Sequence, residues 1–236
     1  MKFSIILASR ERTQLLEQLL QSIADTTADI SNVEVLIGID NDDVATQNVK
    51  QNLTERYPFA KFFSRARSEM LNEDYLNWVY RIAGTGKYII VCNDDAAFRT
   101  PNWDKIIEEK LDNYLADKPD GIVYGYISDA LIDRLGLQYC CFPLVSRKGY
   151  EALDWVMPPE VPAWSADIYI WRIYSAVNRV CDLSEVMIEH ISYHSGKRER
   201  DHISHHVEAI SFSRPVNVPG QEYATKLGER ISAYRN

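Results

Sequence analysis

Apolar positions recur along this chain in two rhythms. Short apolar runs rich in β-branched residues read as buried strands, and stretches in which Leu, Ile and Val return every three or four positions read as amphipathic helices. Phe3 to Ala8 is the first strand-type run, and Leu15, Leu16, Leu19, Leu20 and Ile23 follow at helical spacing. Val33 to Ile39 predicts a second strand, and Val44 to Tyr57 a polar surface helix closed by Pro58. Ala60 to Ser64 is a weaker strand pattern. Asn72 to Ala83 predicts a helix ended by Gly84 and Gly86, and Lys87 to Cys92 a buried strand. Pro101-Asn102-Trp103-Asp104 opens a helix with Ile106, Ile107, Leu111 and Leu115 on one face. Strand and helix alternate in this way to about residue 120. The alternation predicts an α/β fold: a mostly parallel central sheet flanked by helices.

After that the rhythm changes. Gly121 to Ile127 and Leu137 to Leu144 read as strands, and Ser146 to Trp155 as a short helix. Pro158, Pro159 and Pro162 exclude regular structure between Met157 and Trp164. Ser165-Ala166-Asp167 is a good start for a helix over Ile168 to Arg179, and Glu185 to Ile191 predicts a last strand. The charged tail from Ser195 onward carries Pro215, Pro219 and Gly220 and reads as a loop that orders over a ligand.

Composition narrows the class. The 236 residues, 46% hydrophobic and 25% charged, suit a globular protein with a sizeable core. No apolar run is long enough to span a bilayer. The apolar start is too short for a signal peptide and is followed at once by Arg10 and Arg12. Cys92, Cys140, Cys141 and Cys181 form no Cys-x-x-Cys pair, which argues against a zinc site or a disulfide framework. Reduced thiols fit a cytoplasmic protein. A net charge of −8 argues against a large nucleic-acid footprint, and Lys197-Arg198-Glu199-Arg200 is too short and mixed to supply one.

The chemistry collects at strand ends. Asn93-Asp94-Asp95 follows the buried strand over Lys87 to Cys92, and Asp40-Asn41-Asp42-Asp43 follows the second strand. In open α/β sheets ligands bind at the carboxyl ends of strands. Adjacent carboxylates attract a hard divalent cation, which often shares them with phosphates; Asn and Asp are also common turn formers. Ser9, Arg10, Arg12 and Thr13 lie at a strand end and a helix start, a natural anion site. Arginine there opposes the helix dipole and needs another reason.

This ordered set, joined by Trp164-x-x-Asp167 and by Glu189-His190, resembles the GT-A fold glycosyltransferases, in particular family-2-like inverting enzymes. The resemblance covers most of residues 1 to about 201. It implies a single catalytic domain over 1–236 with a Rossmann-like sheet: a nucleotide-sugar half over 1–120, an acceptor half with a smaller antiparallel region over 121–194, and a tail over 195–236 that serves as a lid. It further implies that Ser9, Arg10 and Arg12 contact the nucleotide and that Asp40 recognises the base, usually uracil. Asn93-Asp94-Asp95 stands where the family has Asp-x-Asp, with Asn in place of the first Asp. Asp95 is then the direct metal ligand, and Asn93 and Asp94 contact ribose or metal-bound water. Asp167 becomes the general base, Trp164 an acceptor contact and Lys197 a diphosphate contact. His190 completes the metal shell, with His194 as the alternative. The implied activity is transfer of a hexose or pentose from a nucleotide sugar, a UDP-sugar first, to a hydroxyl, with Mn²⁺ or Mg²⁺; imidazole suits Mn²⁺ better. The acceptor is open: a carbohydrate, another hydroxyl-bearing molecule, or a hydroxylated nucleobase in DNA as for some viral enzymes. Stable membrane insertion is not expected. A nucleotidyltransferase and a non-catalytic nucleotide-sugar-binding protein are the competing classes; Ser9 to Thr13 lacks the glycines of the former's phosphate loop.

Overall fold

A computed structural model describes residues 1–131, 139–213 and 215–234. Its elements run β1 (Phe3–Ser9), α1 (Thr13–Thr26), β2 (Val33–Asp40), α2 (Val44–Arg56), β3 (Ala60–Arg65), a π-helical turn (Asn72–Asn77) that continues into α3 (Trp78–Ala83), β4 (Tyr88–Val91), β5 (Ala96–Phe98) and α4 (Trp103–Leu115). The second half holds β6 (Tyr124–Ser128), β7 (Leu144–Ser146), α5 (Arg147–Leu153), α6 (Ala166–Ala176), β8 (Val180–His190), α7 (His202–Phe212) and α8 (Gly220–Ala233).

Alternation across the strands builds two cores. Phe3, Ile5 and Leu7 join Val33, Val35, Ile37 and Ile39 on one face, where α1 and α4 add Leu16, Leu19, Leu20, Ile23, Trp103, Ile107 and Leu111. Ile6 and Leu36 face the other way, towards Val79 and Tyr80, Ile170, Ile173 and Tyr174, and Leu227 and Ile231. A sheet apolar on both faces needs helices on both, and α3, α6 and α8 supply the second layer.

The strand order is β3-β2-β1-β4-β7-β6-β8-β5. β3, β2, β1 and β4 are mutually parallel, and β6 is parallel to β8. The pairs β4–β7, β7–β6 and β8–β5 are antiparallel, so the sheet is mixed: the expected parallel strands make up one side of it, and antiparallel pairs continue it. The regular βα alternation stops near residue 120; beyond it β7 runs antiparallel to both its neighbours, while β6 and β8, with helices between them in the chain, stay parallel.

Other expectations need correcting. The strand expected over 137–144 begins at residues outside the described ones, and the observed strand starts only at Leu144, just past Pro143. The last strand begins at Val180, five residues before the expected Glu185. The tail expected to be a loop forms two helices: Asp201 caps α7 by accepting from the Ser204 amide, and Tyr223, Leu227 and Ile231 recur at helical spacing along α8. The prolines there sit between the helices, not inside them. Among the described residues no helix is long and apolar enough to cross a membrane.

The π turn has a structural consequence. Its i to i+5 repeat brings Asn72 and Asn77 to one side. The Asn72 amide donates to the carbonyls of Val161 (2.7 Å) and Ala163 (3.1 Å). Asn77 donates to the Met157 carbonyl (2.8 Å) and accepts from the amides of Val156 (2.8 Å) and Met157 (3.0 Å). The Leu71 amide donates to the Pro162 carbonyl (2.7 Å). Both asparagines are buried. They satisfy the backbone of a proline-rich segment that no strand pairs. Asn77→Ala strands three buried backbone groups, at about 1–3 kcal/mol for each that water cannot reach. We expect a loss of about 2–4 kcal/mol in denaturant unfolding; a loss within about 0.5 kcal/mol would show that packing alone holds the segment.

Candidate functional site

The carboxyl ends of the parallel strands share one edge: Ser9 pairs with Ile39, beside Asp40, and β4 ends at Val91, opposite Ile6. A cavity of about 360 Å³ opens there. Ser9, Arg10, Arg12, Asp40, Asn93, Asp94, Asp95, Trp164, Asp167, His190 and His194 all line it. Lys197 does not: its ammonium pairs with Glu189, which also takes Arg99 at 2.6 Å. His206 also lines the cavity.

Asn93, Asp94 and Asp95 make the turn from β4 to β5, so the turn chemistry and the placement of carboxylates coincide. Asp94 is fully engaged. Ser9 Oγ donates to one of its oxygens (2.9 Å) and Arg12 Nη1 to the other (3.1 Å). Arg12 also forks onto Asp201, with Nε and Nη2 donating at 2.8 and 2.7 Å. Arg198 Nη2 donates to Asp95 Oδ2 (2.8 Å) and to Ser204 Oγ (3.1 Å). Arg10 Nη1 donates to Asp40 (2.8 Å) and Asp42 (2.6 Å). Tyr75 donates its hydroxyl to the other oxygen of Asp40 and accepts from the Ser68 amide (2.9 Å). These acids are the reason that two arginines stand at a helix start against its dipole.

Burial raises the Asp94 carboxyl to about 6, even against the Arg12 charge, and ionised Asp95 adds to the rise. Burial would raise Asp95 too, but His190, Arg198 and Arg12 outweigh it and hold Asp95 below the ordinary carboxylate range. Burial works against the charge of Arg12 as well, yet Asp201, Asp94 and Asp95 raise its pKa well above the ordinary value.

The residues present fit a divalent cation in part. Asp95 Oδ1 is buried and, among the described residues, has no hydrogen-bond partner. His190 Nε2 stands 3.3 Å from it, close enough for a shared ion but not aligned as a hydrogen bond. Among the described residues no group of three or more such ligands occurs. Phosphate oxygens would have to complete the shell, as is usual for Mg²⁺ and its relatives.

Asp167 lies in the first turn of α6, where Oδ1 accepts from the Ile168 amide at 2.9 Å. Part of it stays open to the cavity, yet the surrounding protein raises its carboxyl to about 6, and Asp129 adds to the rise. Ser165, just before the helix, has φ of 72°, and Glu11 and Ala130 in two other loops of the site also have positive φ. Non-glycine residues held there store strain, which collects at functional sites. The Trp164 ring packs edge-on against His194 (5.6 Å) and Phe212 (6.1 Å).

Arg198, Tyr75, Asn72 and Ser204 line the cavity without standing out in the sequence. Arg198 sits in a basic run read only for nucleic-acid binding, and Tyr75 fits the apolar face of its helix. Neither pattern carries a signal that would have separated function from packing.

No protein-family model and no curated protein matches the chain. Solved structures do match in fold. The 1–349 fragment of S. aureus TarS in complex with UDP-GlcNAc superposes with a TM-score of 0.64 at 14% identity, over 98% of this chain and 72% of that one. The mannosyltransferase PcManGT from Pyrobaculum calidifontis, in complex with GDP-Man and Mn²⁺, gives 0.64 at 12% identity, over 99% and 75%. GalNAc-T7 with UDP, GalNAc and Mn²⁺ gives 0.59 at 12% identity, over 80% and 44%. The chain spans 43% of a longer TarS chain that it also matches. At this level of identity the likeness establishes the fold, that of GT-A-type glycosyltransferases.

Arg12–Asp201 and Arg198–Asp95 tie the start of α7 to the strand ends. Burial alone would raise the Asp201 carboxyl, but hydrogen bonds from Arg12 and Ser204 outweigh it and hold it far below the usual range. A lowered carboxyl contributes stability that is complete above the unfolded pKa, near 4, and fades only as the pH falls towards the folded value. We therefore expect Asp201→Asn to raise amide exchange over residues 198–206 at pH 7 by about tenfold, with little change in the global unfolding midpoint. Unchanged exchange would mean that packing, not this ion pair, holds α7.

Proposed function

We propose that this protein is a metal-dependent, inverting glycosyltransferase that moves a sugar from a nucleoside-diphosphate donor, a UDP-sugar, to an acceptor hydroxyl. One observation carries this reading: one cavity joins a cation-ready acid and imidazole, Asp95 and His190, with two arginines at one end and a carboxyl of raised pKa, Asp167, at the other. Nucleotide-sugar complexes among proteins of the same fold support it.

Asp40 is held in one orientation by Arg10 and Tyr75. A fixed carboxylate accepts from a base that presents an N–H, as uracil and guanine do, and repels one that presents a lone pair. Asn93 is exposed to the cavity and contacts the ribose, while Asp94 orients Arg12. Arg12 and Arg198 share the diphosphate charge, since charge-assisted hydrogen bonds from arginine suit phosphate. Arg198 takes the role first given to Lys197, whose charge is spent on Glu189. Asp95 and His190 would hold a divalent cation, which would supply Lewis-acid stabilisation of the leaving diphosphate. Asp167 accepts the proton of the acceptor hydroxyl as that oxygen attacks, and Trp164 bounds the acceptor. Asp129, whose charge reaches Asp167, has both oxygens on the amides of Leu131 and Cys141 and is not free to form a glycosyl ester. With one base and, among the described residues, no second carboxylate open for covalent attack, displacement is direct and inverts the anomeric centre.

Calorimetric titration of UDP and GDP, with Mn²⁺ and with chelator, tests the donor half. We expect UDP to bind only with Mn²⁺, and Asp95→Ala to abolish that dependence. Nucleotide binding that is indifferent to Mn²⁺ in a folded sample refutes the metal assignment. Asp167 must be ionised to act as a base, so transfer should fall as the pH drops through about 6. An ordinary carboxyl would sustain it to near 4. Asp167→Asn should retain UDP binding and lower transfer by about 10²–10⁴-fold. An unchanged rate in that variant removes Asp167 as the base.

A further inference from the structure

The two ends of the cavity differ in chemistry. The donor end is charged. Beyond Asp167 the wall is apolar: Trp164 and Ile168, with Ile203, Val207 and Ile210 from one face of α7. The α7 residues recur at i, i+4 and i+7, so the helix turns a continuous aliphatic stripe towards the acceptor side. Asp167 is the one fixed charge placed there by the described residues. His194 packs its ring edge-on against Trp164 on this side. Arg198 stands on Asp95 at the donor end, and Arg200 pairs with Glu208. A few hydroxyl and imidazole groups remain for orientation, among them the buried Tyr193 Oη, which has no hydrogen-bond partner among the described residues.

This wall suits some acceptors and penalises others. A saccharide would press several hydroxyls against aliphatic side chains that cannot hydrogen-bond to them, each an uncompensated burial. A phosphorylated acceptor would set its own negative charge against the Asp167 carboxylate. Apolar walls with a few placed polar groups are the usual lining of small-molecule sites. Resting on the glycosyltransferase reading above, we propose that the acceptor is a small, neutral alcohol with an aromatic or other apolar ring skeleton. Its ring lies against Trp164 and the α7 stripe, and its hydroxyl is directed at Asp167.

The test uses the full chain saturated with UDP and Mn²⁺, and titrates 2-naphthylmethanol, cellobiose and a single-stranded oligonucleotide containing 5-hydroxymethylcytosine. The aryl alcohol should bind at least tenfold more tightly than the other two. Val207→Asp, at a half-buried position, should weaken it at least tenfold while UDP affinity stays within twofold, and Val207→Ala should weaken it less. Tighter binding of cellobiose or of the oligonucleotide overturns the proposal, as does binding of the aryl alcohol that ignores Val207→Asp. UDP–Mn²⁺ binding with no affinity for the aryl alcohol also overturns it and leaves the glycosyltransferase reading intact. If UDP fails to bind while the aryl alcohol binds with the expected sensitivity, the failure lies in the donor assignment instead.

Discussion

Buried carboxylates at the ends of buried strands persist only where cations stand on them, and that constraint organises this molecule. Asp40, Asp94 and Asp95 are each nearly inaccessible, and each carries an arginine: Arg10, Arg12 and Arg198 in turn. Removing one partner from such a pair leaves a charge in a medium that cannot solvate it, at a cost of several kcal/mol. The network therefore does two things at once. It makes the acidic strand ends compatible with a folded core, and it fixes their orientation.

The same network explains how distant segments come to share one cavity. Arg12, at the start of α1, holds Asp201, which caps α7. Arg198, just before α7, returns to the β4–β5 turn. The C-terminal segment is thus drawn over the strand ends by charge, and its aliphatic stripe becomes one wall of the site. The opposite wall is set without charge. Two buried asparagines brought together by a π turn hold the proline segment that leads into Trp164 and Asp167. The two walls of the cavity are positioned by different physics, one by ion pairs and one by buried amides.

Strain fits this division. Ser165, Glu11 and Ala130 keep positive φ in loops that border the cavity, while β1, behind Glu11, is regular and buried, and β6, before Ala130, shifts register at Ile127 and Ser128. A stiff sheet fixes the loop ends, so the loops can hold conformations that cost about 1–3 kcal/mol each.

The sequence by itself determined the alternation of strands and helices up to residue 120, the acids at strand ends and the helix start at Asp167. Each is a local pattern: period two or near four for burial, and cap chemistry for helix starts. Short strands, chain direction in the second half and the π turn lay beyond it, because β5 and β7 have only three residues and take their shape from neighbours. The pairing of charges was likewise a decision of the tertiary structure. Lys197 and Arg198 are adjacent in sequence, yet one serves Glu189 and the other Asp95. Arg12 and Asp201 lie 189 positions apart. Side-chain partners at such separations follow from where the backbone has been brought by packing, and no local pattern of residue types contains that information.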